Sequence, residues 1–199
     1  MKDLFLLTLS FFLLHSSNYG ENSDYIDFKN PIHGYHNLLP NDPFSYFVKK
    51  LENSNVKLNF NSEKEYLFSL FKELEISPHS QLLVYSTTSL QLSKISLSNP
   101  RAIYFGDDIY VGYVPGGQVE IIGIDPELGA IPYIFNLPQK TDSTHPLIYR
   151  SKRCMKCHAS EETKGAPGLL LSSVIPGPGG GTLDAFRRGT FGHSIEYEK

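Results

Sequence analysis

The sequence predicts an α+β fold, with N-terminal helices, a small, mostly antiparallel β-sheet and a loop-rich segment towards its C-terminal end. Two segments before residue 76 carry apolar residues at helical spacing, and residues 82–135 hold short runs of β-branched and aromatic residues between turns. After Leu137 the chain becomes polar and rich in proline and glycine. Its 199 residues suit one domain, or a domain with a small lobe.

Two helices are predicted from their capping residues. Asp42 is a favourable N-cap and Pro43 a favourable first residue, which predicts a helix over 43–52. Ser62, with a glutamate three residues later, forms a capping-box pattern and predicts a second helix over 62–75. Their apolar faces consist of Phe44, Phe47, Val48 and Leu51 in the first helix and of Leu67, Leu70, Phe71 and Leu74 in the second.

Five strands are predicted in the middle of the chain. Pro115-Gly116-Gly117 separates two alternating segments and indicates a β-hairpin, one face of which we expect to pack on the helices. The expected strands cover residues 82–85, 102–105, 109–114, 119–124 and 131–135.

The N-terminus has the layout of a secretory signal. Lys2 supplies a positive charge, an apolar run follows from Leu4 to Leu14, and small polar residues lead to Gly20. The run is too short to span a bilayer, and no later segment is apolar enough to do so. We therefore expect residues 1–20 to be removed from a periplasmic or secreted protein; the alternative is a buried N-terminal helix. The net charge of −3 gives no electrostatic footprint for nucleic acid.

The two cysteines of the chain lie in one motif. Cys154, Cys157 and His158 form C-x-x-C-H, the signature for covalent attachment of a c-type haem. Residues i, i+3 and i+4 share one face of a helical turn, so two thiols can reach the haem vinyl groups while the imidazole ligates the iron. We predict one covalent haem c, a helix-plus-β-sheet region over 21–136 and a haem-attachment segment over 137–199.

Three other uses of the cysteine pair stay open. A thioredoxin-like redox disulfide would follow a buried strand, which the residues before Cys154 do not resemble. A zinc site would need further ligands from scattered histidines, because there is no second cysteine pair. The third use is a structural disulfide between Cys154 and Cys157.

The second axial position of the iron points to histidine. Met1 lies in the predicted signal and Met155 lies within the motif, so a distal methionine is not expected. His193 is the best candidate, because it follows a glycine-rich loop that can fold back. The other histidines of the mature chain, each more simply explained as a surface residue, are His33, His36, His79 and His145.

Basic residues surround the motif in an otherwise slightly acidic chain. They could steer an acidic redox partner or pair with haem propionates, although a solvated face is the simpler interpretation. These residues are Arg150, Lys152, Arg153, Lys156 and Lys164.

The C-x-x-C-H motif follows two segments, LLVYSTTSLQ (82–91) and PRAIYFGDDIYVG (100–112), and it is followed by Gly165–Gly168. In these residues the chain resembles a largely uncharacterised family of exported bacterial cytochrome c domain proteins. The resemblance covers about residues 40–198. It implies covalent haem and matches a histidine of the family to His193. Family members continue into a Trp- and Gly-rich region, whereas this chain has no Trp, as expected of a shortened copy.

The function expected from these observations is periplasmic electron transfer through one covalently bound haem, with a redox protein of unknown identity as partner. One alternative is a haem enzyme or gas sensor with an open iron position. The other is an exported domain without haem that carries a Cys154–Cys157 disulfide. The sequence assigns no catalytic residue.

Export is testable on the mature protein. The charged start and apolar run predict cleavage after roughly the first twenty residues. N-terminal sequencing of the protein from the periplasmic fraction should therefore begin near Gly20. A charge in the apolar run, as in Leu9→Arg, should leave the chain in the cytoplasm with Met1 in place. Retention of Met1 in the exported wild-type chain would contradict the prediction.

Overall fold

The described residues form a six-stranded antiparallel sheet in which each strand pairs with the next one along the chain. The computed structural model describes residues 26–59, 61–84, 90–96, 98–137 and 147–170. The predicted signal therefore lies outside the described residues. The strands are β1 (Leu82–Val84), β2 (Arg101–Phe105), β3 (Ile109–Tyr113), β4 (Val119–Asp125), β5 (Gly129–Phe135) and β6 (Ile148–Arg150).

Three helices accompany the sheet, and the α+β prediction is confirmed. Helix α1 spans Pro43–Glu52 and α2 spans Glu63–Glu73, and both begin at the predicted caps. Helix α3, Met155–His158, is a single turn inside the cysteine motif. Among the described residues, no helix is both long and apolar enough to cross a membrane.

Strand β6 is the element that the sequence does not predict. It has three residues, it pairs only with β5, and its side chains are half-buried or exposed. A short edge strand of this kind has too few buried positions to show a period of two. β6 ends at Arg150, shortly before the motif, but none of its residues is buried, so the residues before Cys154 do not form the buried strand that a thioredoxin-like disulfide would follow.

One face of the sheet packs against α1 and α2. The ring of Phe71 on α2 lies 4.5 Å from that of Tyr104 on β2, and the ring of Phe44 on α1 lies 4.9 Å from that of Tyr133 on β5. These rings form the core together with aliphatic side chains of the central strands, such as Val111, which is fully buried. The apolar helix faces and the hairpin residues thus meet as the sequence predicts.

Asp42 connects α1 to the sheet from inside the core. Its Oδ1 accepts hydrogen bonds from the backbone of Phe44 and Ser45, and its Oδ2 accepts one of 2.5 Å from the Tyr133 hydroxyl. The side chain is 0 % exposed, and this burial raises the pKa of the carboxyl group. A Cβ at Gly123 of β4 would overlap Oδ1, so the strand leaves room for the carboxylate.

The opposite face of the sheet carries the residues that alternate with the core positions. Register places Gly112 of β3 opposite Glu120 of β4, then Ile134 of β5, then Tyr149 of β6. Arg101 of β2 belongs to the same face, because it alternates with Ala102, which is buried on the core side. We call this surface, which lies away from α1 and α2, the outer face.

Removal of the Asp42 side chain should destabilise the fold more than loss of an ordinary helix cap. Asp42→Ala removes the cap of α1 and leaves the Tyr133 hydroxyl buried without an acceptor, a combined cost of about 2–4 kcal/mol in the free energy of unfolding. Ser62→Ala is the matched control, because Ser62 caps α2 at an exposed position and should cost about 1 kcal/mol. Urea unfolding measures both, and equal losses would contradict the role of Tyr133.

Candidate functional site

The cysteine motif forms one helical turn. Cys154 has helical backbone angles and precedes α3, and its carbonyl accepts a hydrogen bond of 3.0 Å from the His158 amide. Cys157 is exposed, Cys154 is half-buried, and both are free thiols. The helical turn that the spacing predicts is therefore present from Cys154 to His158.

Two backbone hydrogen bonds attach the segment that carries the motif to β5, on the side of that strand that faces away from β4. The Ser151 amide donates to Pro132 O at 2.8 Å, and the Ala130 amide donates to Pro167 O at 3.1 Å. Gly129 has a positive φ of 74°, and a Cβ there would overlap Pro167 O. The two ends of the 151–167 segment are thus held on a single strand, which limits how α3 can move.

Ser151 also fixes the first cysteine. Its hydroxyl accepts hydrogen bonds from the Cys154 amide at 3.4 Å and from the Cys154 thiol at 3.1 Å. Ser151 is only 4 % exposed, so this contact lies at the base of the motif. Burial raises the pKa of the Cys154 thiol, which keeps it protonated near neutral pH.

The imidazole of His158 is oriented by the loop that follows α3. Its Nδ1 lies 3.0 Å from Gly168 O, and the Gly168 amide donates to His158 O at 2.8 Å. A carbonyl oxygen only accepts hydrogen bonds, so the ring proton resides on Nδ1 and Nε2 keeps its lone pair. Burial lowers the pKa of His158, which favours this neutral form. The ring therefore presents one nitrogen suited to bind a metal.

Met155 and Lys156, the two intervening residues of the motif, have different surroundings. Met155 is buried in the core, where its Sδ accepts a hydrogen bond of 3.2 Å from the Tyr35 hydroxyl. Lys156 is exposed. The sulfur of Met155 is thus engaged by Tyr35 in the core.

The basic residues around the motif divide into two groups. Arg150 is occupied by Tyr35: its guanidinium lies 4.5 Å from the centre of the Tyr35 ring and donates to Tyr35 O at 2.7 Å. Arg150 therefore holds the segment around Tyr35 in place, and its guanidinium is engaged within the chain. The side chains of the other four, Lys152, Arg153, Lys156 and Lys164, are exposed.

An ion pair on the outer face is the feature that sequence reasoning missed. Arg101 Nη2 and Glu120 Oε2 lie 2.5 Å apart. Burial has the largest effect on the pKa values of Cys154 and His158, and beyond it Glu120 raises and Arg101 lowers both. The two residues are 19 positions apart in different strands, so only the strand register could reveal the pair.

A depression of about 360 Å³ opens on the outer face beside the start of the motif. Ile134, Tyr149 and Ser151 line it. Leu90 and Arg153 also line it. The depression brings an apolar surface next to the residues that lead into Cys154.

The candidate distal histidines divide between described and undescribed segments. His193 and His145 lie outside the described residues. His36 and His79 are exposed, and His33 is half-buried beside Tyr35, with 6.0 Å between the ring centres. Within the described ranges, no group of three or more histidine, cysteine or acidic side chains is placed to hold a metal ion.

Comparison with known proteins adds no relative. No family model, no curated protein and no solved structure matches the chain.

Proposed function

We propose that this chain is a periplasmic c-type haem protein that transfers electrons through one haem bound at Cys154 and Cys157. The observation that carries the proposal is the protonation state of the His158 ring, which leaves Nε2 able to bind iron. A hydrogen bond to Gly168 O holds its Nδ1 proton, and Nε2 remains as a neutral ligand on the helical turn that carries the two free thiols. Proteins orient axial histidines in this way, with the second ring nitrogen bonded to a backbone carbonyl.

The cysteines fit covalent attachment of a haem. Each thiol would add across one vinyl group, so that a C–S bond forms, the hydrogen moves to the neighbouring carbon and no oxidant is consumed. The reaction needs reduced thiols, and both cysteines are free. Cys157 is exposed at the end of the turn, while Ser151 holds Cys154 at its base. When bound, the haem would supply a one-electron couple between iron(II) and iron(III).

The exposed cations suit an acidic redox partner. Lys152, Arg153 and Lys156 lie within two residues of a cysteine and are exposed, while the chain as a whole carries a net charge of −3. A local positive patch accelerates association with a negatively charged surface and makes it sensitive to salt. We propose that electrons enter or leave through this patch, next to the attachment site.

Haem attachment through the two thiols can be tested directly. With haem-maturation proteins present, the exported wild-type chain should retain haem on a denaturing gel, as detected by haem staining. Cys154→Ala and Cys157→Ala should each weaken the band, and the double variant should lose it. Lys156→Ala is the matched control, since Lys156 is exposed within the same turn. Haem retained by the double variant would rule out covalent attachment.

The sixth iron position distinguishes electron transfer from ligand binding. We propose His193 as the distal ligand, because Met155 faces Tyr35 on the core side. Carbon monoxide should bind the reduced wild-type protein slowly and His193→Ala fast. His79→Ala, at an exposed position, should behave as wild type. Fast binding by all three proteins would instead indicate an open iron position and favour a haem enzyme or gas sensor.

A further inference from the structure

The ion pair on the outer face spans three strands. Arg101 on β2 reaches Glu120 on β4 across Gly112 on β3. Any side chain at Gly112 would overlap the guanidinium, because a Cβ built there collides with Arg101 Nη2. Because Gly112 has no side chain, the Arg101 side chain can cross β3, and its guanidinium lies over the outer face.

Arg101 has a hydrogen-bond donor that the ion pair does not use. Its Nη2 bonds to Glu120, but its Nε is buried and has no hydrogen-bond partner in the described part of the chain. The two side chains are only 20 % and 10 % exposed. A buried donor without an acceptor costs free energy, so this position is suited to an acceptor from outside the described residues.

The pair also lies close to the haem-attachment residues. Ser151, whose hydroxyl accepts a hydrogen bond from the Cys154 thiol, lines the same depression as Ile134. The depression beside the motif contains Ile134, the neighbour of Glu120 across the strands, so it shares the face with the pair. Arg150 is engaged by Tyr35 and is not free for the same role.

We propose that Arg101 binds a haem propionate through its free Nε–H, while Glu120 positions the guanidinium. This inference rests on the proposed function. A propionate is a carboxylate at the edge of the haem, and arginine is the side chain best suited to bind carboxylates because its donors form a planar, permanently charged fork. Arg101 is therefore a cofactor-binding residue, and Glu120 is a positioning residue.

The test compares haem-loaded full-length variants by reduction potential and by the propionate-bending band in resonance Raman spectra. Arg101→Gln should lower the potential, because it removes the positive charge that offsets Glu120 and the propionate, and should shift the propionate band. Glu120→Gln should raise the potential and keep the band, because the glutamine amide oxygen can still accept the hydrogen bond from Arg101 Nη2 that positions the guanidinium. Lys57→Gln is the control: it removes an exposed positive charge outside the motif and outside the cationic patch, and it should change neither reading appreciably.

A double variant covers the case in which Arg101→Gln does not fold because the buried charge of Glu120 loses Arg101. In Arg101→Gln/Glu120→Gln both charges are removed, yet the propionate still loses its donor. We expect a shifted band and a potential below that of wild type. A wild-type band and potential in the double variant would overturn the proposal and leave the haem assignment intact. A wild-type chain without covalent haem would instead refute the proposed function itself.

Discussion

The buried hydrogen bond between Tyr133 and Asp42 is the contact on which the positions of the helix layer and of the cysteine motif depend. It fixes the start of α1 against β5, so the core face of the sheet is covered at a defined position. In the same strand, Pro132 accepts and Ala130 donates the backbone hydrogen bonds that hold the two ends of the motif segment. A shift of β5 would therefore move the helix layer and the cysteine turn together.

The two faces of the sheet differ in composition: one forms the apolar core, and the other carries charged side chains. The side that packs on α1 and α2 consists of aromatic and aliphatic side chains in close contact. The outer face carries the ion pair of Arg101 and Glu120 and the depression that Ser151 lines beside the cysteine motif. Period-two alternation makes this possible, since neighbouring residues of one strand serve opposite sides. Substitutions on the outer face can thus alter the site while the core stays packed.

The motif turn is divided in the same way. Met155 is buried in the core and contacts Tyr35, so the turn is anchored by a residue other than the two cysteines and His158. The loop up to Gly168 returns to His158 and sets its ring proton. These contacts come from residues far apart in the chain, and they explain how a helix of one turn, too short to be stable alone, is held in place.

The sequence by itself determined the α+β class, both long helices with their caps, five of the six strands and the C-x-x-C-H motif. Each of these is a local pattern: a cap before an apolar face, alternation between turns, or a fixed spacing of thiols and imidazole. Only the tertiary structure decided β6, whose pairing with β5 leaves no periodic signal, and the Arg101–Glu120 pair, which needs the register of three strands. The proton position on His158 likewise depends on a carbonyl ten residues away, brought close by the loop.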